Sequence, residues 1–165
     1  MFADDRRVNR MRVDTQLGTE HLSQPRPFRL VPLPRPDVNI VCFAIGHPDL
    51  ATLEECNELV ERVYRAMSIG RGRPLRAPDY LVTKTTLQPR EYAHSADPIV
   101  ATLGHTHADY VRAGGLAVVR CTVMDPAFAS GRGNTDHVAG FVVALRRVLQ
   151  AELAAMQAGA PARQG

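Results

Sequence analysis

At 165 residues, 45% hydrophobic and 22% charged, the chain has the length and composition of one globular domain with a real apolar core. Its net charge of +3 is modest, and the arginines at 6, 7, 10 and 12 are followed by no basic stripe interleaved with aromatics, so nucleic-acid binding is not expected. No apolar run is long enough to span a membrane and no signal-peptide core follows Met1, which predicts a soluble, cytoplasmic protein.

In chain order, residues 1–26 are charged and poorly patterned, and are expected to be partly disordered or to form a short helix that docks elsewhere. Phe28–Leu33 reads as a short strand, which Pro32, Pro34 and Pro36 confine to a sheet edge or end, because proline donates nothing to a ladder. Val38–Ile45 is a buried strand that stops at Gly46-His47-Pro48. Thr52 and Glu55 have capping-box spacing, with Asp49 as a rival cap. Leu53, Cys56, Leu59, Val60, Val63 and Met67 then recur at helical spacing, and Gly70 is the expected stop.

The glycine-, arginine- and proline-rich stretch 70–79 reads as a loop, and Tyr80–Leu87 as a third strand. Within 88–113, Pro98–Leu103 is compatible with a short helix, and Gly104–Gly115 reads as a connection. The most β-branched run follows, opened by Gly114-Gly115 and closed by Asp125-Pro126. Its alternation puts Ala117, Val119, Cys121 and Val123 on one face, and Leu116, Val118, Arg120, Thr122 and Met124 on the other. Arginine is rarely buried unpaired, so either that second face is wet or Arg120 meets an anion there. A last helix, capped by Asn134, Thr135 or Asp136, carries Val138, Phe141, Val142, Leu145, Leu149 and Leu153 on one stripe. The tail 158–165 is expected to fray.

Four strands and two long amphipathic helices predict an α+β fold: a four-stranded, mainly antiparallel sheet with both helices on one face. The other face would carry Arg120 and Thr122, with Lys84 and Asn39 on neighbouring strands, and so resembles a docking surface. Cys42, Cys56 and Cys121 are odd in number and lie in apolar patterns, as small buried hydrophobes in a reducing compartment do. His105-Thr106-His107 would set two imidazoles on one side of a strand, but Asp109 adds at most one ligand and no motif completes a set, so no metal site is expected. His137 reads as a surface residue, and Gly131-Arg132-Gly133 as a plain loop rather than an anion site.

Three stretches carry a family resemblance. Pro36-Asp37-Val38-Asn39-Ile40-Val41-Cys42-Phe43 is similar to the P-D-x-N-I-V-C-F strand of group II pyridoxal-phosphate-dependent amino-acid decarboxylases. Asp79–Leu87 resembles the strand that follows it, D-Y-[FL]-[VI]-S-K-T-x-L, and Gly115–Pro126 resembles G-L-x-V-L-R-C-T-V-M-N-P, with Asp125 in place of the usual Asn. The resemblance covers roughly residues 27–153, and a domain over 27–157 is expected from it.

These motifs belong to the small carboxy-terminal domain of a fold type I enzyme. In the family, a larger domain supplies the Schiff-base lysine and the residues that hold the cofactor ring, and no stretch here reproduces its His-Lys motif. The resemblance therefore implies a domain, as a fragment or separate subunit, that closes the active site of a carboxy-lyase. It implies pyridoxal phosphate in the complete enzyme but not on this chain alone, and a large-domain or decarboxylase partner in a homo- or hetero-oligomer. It also implies that Arg120 lies near the substrate carboxylate, to which a guanidinium fork is matched. A structural ion pair is the alternative for Arg120. Lys84, the sole lysine, falls in the small-domain motif and is expected at an interface or in solvent, as are Asn39 and Thr122. The alternative for the whole chain is a non-catalytic binding or regulatory module that docks on a separate large domain.

Overall fold

Within residues 27–34, 40–69, 80–122 and 137–159, which the computed structural model describes, the apolar runs become four strands. They are β1 Arg29–Pro32, β2 Ile40–Gly46, β3 Thr83–Leu87 and β4 Leu116–Thr122. All pairings are antiparallel, and the sheet order is β1-β2-β4-β3. The most apolar strands, β2 and β4, hold the centre of the sheet, paired on both sides. Pro32 sits on the edge strand β1, where a missing N–H need not break a ladder. The threonine-rich β3 forms the other edge, exposed except for Leu87.

Helix α1, Leu53–Ala66, starts as the sequence predicts: Thr52 accepts from the Glu55 amide, and Glu55 accepts from the Thr52 amide. It ends at Ala66 with Met67 as its cap, ahead of Gly70, which lies outside the described residues. Helix α5 covers His137–Gly159, running into the tail expected to fray; the residues predicted to cap it lie outside the described residues. Its buried stripe is Leu145, Leu149 and Leu153, flanked by Phe141, Val148 and Met156, whereas Val138 points outward. Both long helices pack on one face of the sheet, where Phe43, Ile45, Ala117 and Val119 meet Leu59, Val60, Val63, Leu145 and Leu149.

The opposite face departs from expectation, because it is not left open along its length. Between β3 and β4 the chain forms α2 (Pro89–Tyr92), a 3₁₀ turn (Ala93–Ala96), α3 (Asp97–Leu103) and α4 (His107–Arg112). The predicted short helix is α3; α4 replaces part of the predicted connection. Ile99, Val100 and Tyr110 from these helices close over Val31, Ala44, Leu87, Leu116 and Val118. Such helices are too short to show an amphipathic period, so their ends carry the information. Pro89 and Pro98 sit in first turns, and Thr106 and Asp109 make a second capping box.

The β2–β4 ladder stops at the Phe43–Val119 pair, although β2 continues to Gly46 against β1. The start of α1 takes up β4's unpaired edge. The Asn57 amide donates to the Gly115 carbonyl (2.8 Å), and its oxygen accepts from the Ala117 amide (2.8 Å). Leu53 and Cys56 consequently join the core beneath α3 and α4, while Leu59, Val60 and Val63 belong to the core beneath α5.

Candidate functional site

Strand β4 changes character along its length. Leu116 to Val119 are buried on both faces, and then Arg120 and Thr122 are exposed with Cys121 half-buried between them. Antiparallel partners share a face, so Arg120 stands beside Cys42 of β2 and Thr83 of β3, and Thr122 stands beside Ile40. This is the sheet face covered by α3 and α4 at its Leu116 end, and the site is its uncovered end. The Thr83 hydroxyl donates to the Arg120 carbonyl at 3.0 Å, fixing the backbone between the two strands. Among the described residues no carboxylate pairs with the guanidinium. Its charge is felt by Cys42, whose thiol is raised by burial and drawn partly back by Arg120.

Of the four residues predicted for this face, Arg120 and Thr122 lie together. Asn39 lies outside the described residues. Lys84 does not join them: it pairs with Val119 across the ladder and therefore points to the helix-covered side. There its ammonium is paired with Glu61 of α1 and lies 5.6 Å from the centre of the Tyr64 ring. A one-residue step along a strand reverses the face, and the pairing register, not composition, decides which face Lys84 takes.

The cysteines divide as well. Cys56 is buried as predicted, but Cys42 and Cys121 are only half-buried, because both lie where β2 and β4 emerge from the core. Burial pushes the Cys56 thiol up to about 11 with help from the Glu55 charge, against a hydrogen bond to the His47 backbone, and burial pushes Cys121 to about 11. Cys56 Sγ lies 3.7 Å from His105 Nε2, but a thiol held protonated at neutral pH is not an activated nucleophile.

His105 and His107 are not paired on a strand, since Thr106 between them caps α4. His107 Nδ1 instead meets one oxygen of Asp97 at 2.7 Å, and His94 Nδ1 meets the other at 2.7 Å. A carboxylate that the sequence reading did not set beside His107, that of Asp97, thus lies between the two imidazoles. The spacing His94-x-x-Asp97, with Asp97 opening a proline-started helix, was the available signal. His137 is half-buried in the first turn of α5, and Gly131-Arg132-Gly133 lies outside the described residues.

Pyridoxal chemistry needs a lysine amine for its imine. The sole lysine, Lys84, is engaged by Glu61 on the face away from Arg120, so the described residues do not fit a cofactor site. Among the described residues no helix is long and apolar enough to cross a membrane.

The family model for the C-terminal region of tyrosine decarboxylase matches residues 17–153, starting ahead of the boundary predicted at 27. Among curated proteins, the L-tyrosine decarboxylase of Levilactobacillus brevis is 29% identical over 122 residues, a match that takes in 74% of this chain. The same match spans only 19% of that enzyme's length.

Proposed function

The chain belongs to the tyrosine decarboxylase C-terminal family, and from that premise we propose that it is the small domain of a pyridoxal-phosphate-dependent amino-acid decarboxylase of fold type I, inactive by itself. It closes the active site built by a large domain and presents Arg120 to the carboxylate region of the substrate. The single observation that carries this reading is the state of Arg120. It is an exposed guanidinium at the uncovered end of a sheet face, with no carboxylate partner among the described residues. An arginine serving only this domain's stability would be expected to have an acidic neighbour within it. One serving a site completed elsewhere would not.

Cofactor chemistry, on this reading, is the large domain's work. This chain contributes a positive charge on a strand held on both sides, plus the surface that docks. Because it spans about a fifth of its relative's length, the test supplies the rest. The large-domain portion of a tyrosine decarboxylase is produced separately, mixed with this chain, and assayed for docking and carbon dioxide release. Arg120→Ala is expected to leave docking intact and lower kcat/KM about 10- to 100-fold, the loss of one charge-assisted hydrogen-bonded contact. Arg120→Lys, which keeps the charge but not the fork, is expected to recover only part of it. Unchanged turnover in Arg120→Ala with docking retained would reduce the domain to a scaffold.

A further inference from the structure

We propose that His94, Asp97 and His107 form a binding site for a divalent transition-metal ion of the zinc class, separate from the Arg120 end of the sheet. The three residues come from the 3₁₀ turn, the first residue of α3 and the first residue of α4. One ligand atom from each lies within 4.8 Å of the other two. A tetrahedral ion with bonds of about 2.0–2.1 Å sets its ligand atoms about 3.3 Å apart, so small side-chain turns close the set. Two imidazole nitrogens and one carboxylate oxygen suit zinc, cobalt or nickel rather than the oxygen-seeking magnesium or calcium. The fourth position would hold water.

Ala93, immediately before His94, has φ 43°, in the region that side-chain-bearing residues rarely adopt. The His94 side chain is 78% exposed. The turn holds His94 stacked on His107 with ring centres 4.1 Å apart. Beneath His107, the fully buried Tyr110 hydroxyl has no hydrogen-bond partner among the described residues. A bound ion with its water would tie together the three segments that close over Leu116 and Val118.

The test is calorimetric titration of the full chain, without an affinity tag, with Zn²⁺, and with Co²⁺ read by visible absorption. One saturable ion per chain is expected. His94→Ala and Asp97→Asn should each weaken it at least tenfold, and His21→Ala should leave it unchanged. Circular dichroism checks that the variants fold, and the exposed His94 is the substitution least able to disturb the core. Failure of the wild-type chain to saturate, or equal affinity in His94→Ala, would overturn the proposal. Neither result bears on decarboxylase membership.

Discussion

Asp109 illustrates how a single side chain can start a helix too short to be read from its period. Its carboxyl accepts from the Thr106 amide (2.8 Å) and hydroxyl (2.7 Å) and from Arg112 (2.7 Å), which also reaches Glu54 of α1. The backbone bond first, then the hydroxyl and the arginine, hold Asp109 at about 2, against an ordinary 3.8. A depressed carboxyl contributes to folding fully above its unfolded value, and the contribution is lost as pH falls through the folded one. The α4 cap should therefore stay intact down to about pH 4 and release between about 4 and 2. Amide resonances of Thr106 and Asp109 followed by NMR should show that step, and Asp109→Asn should abolish it. A step unchanged in the variant would assign the transition to another group. At the same scale, Arg120 was singled out by its charge within an apolar strand and by the family motif, and the uncovered face it lies on was legible, but not how far along that face the cover extends. A strand pattern gives alternation, not the point at which covering helices stop.

Among elements, the junction of α1 with β4 has the most consequence. Gly115 enters β4 with φ 133°, and a Cβ there would lie 2.5 Å from the Leu87 carbonyl oxygen, so only glycine lets β3 and β4 meet at that end. On the other edge Asn57 replaces a strand, satisfying a carbonyl and an amide that β2 has left behind. Removing it leaves both backbone groups without their partner. Asn57→Ala should destabilise the chain by about 2–6 kcal/mol, given about 1–3 for each of the two backbone groups orphaned. Urea unfolding of the two proteins measures this, and a loss under about 0.5 kcal/mol would mean that water or a strand shift takes over the pairing. The apolar stripe of α1 was plain in the sequence. That a polar residue beside that stripe would bond to a strand edge was not, because nothing local to Asn57 specifies Gly115 or Ala117.

For the whole molecule, membership in the tyrosine decarboxylase C-terminal family and the engagement of Lys84 lead to a direct expectation. Pyridoxal phosphate added to the purified chain should give no saturable imine absorbance, and borohydride should trap no stoichiometric adduct. A full-occupancy adduct on Lys84 would show that the Glu61 pair opens and would overturn the proposed division of labour. The strands, the capped helix and the family were determined by the sequence itself, because β-branched alternation, a Thr-x-x-Glu cap and contiguous motifs such as Asn39–Phe43 are local quantities. Tertiary structure decided the rest: Lys84 turned from Arg120, short helices over half of the second face, and His94 brought to Asp97 and His107. Each depends on strand register or on packing between segments far apart in the chain, and a shift of one residue in register reverses a face without changing any local pattern.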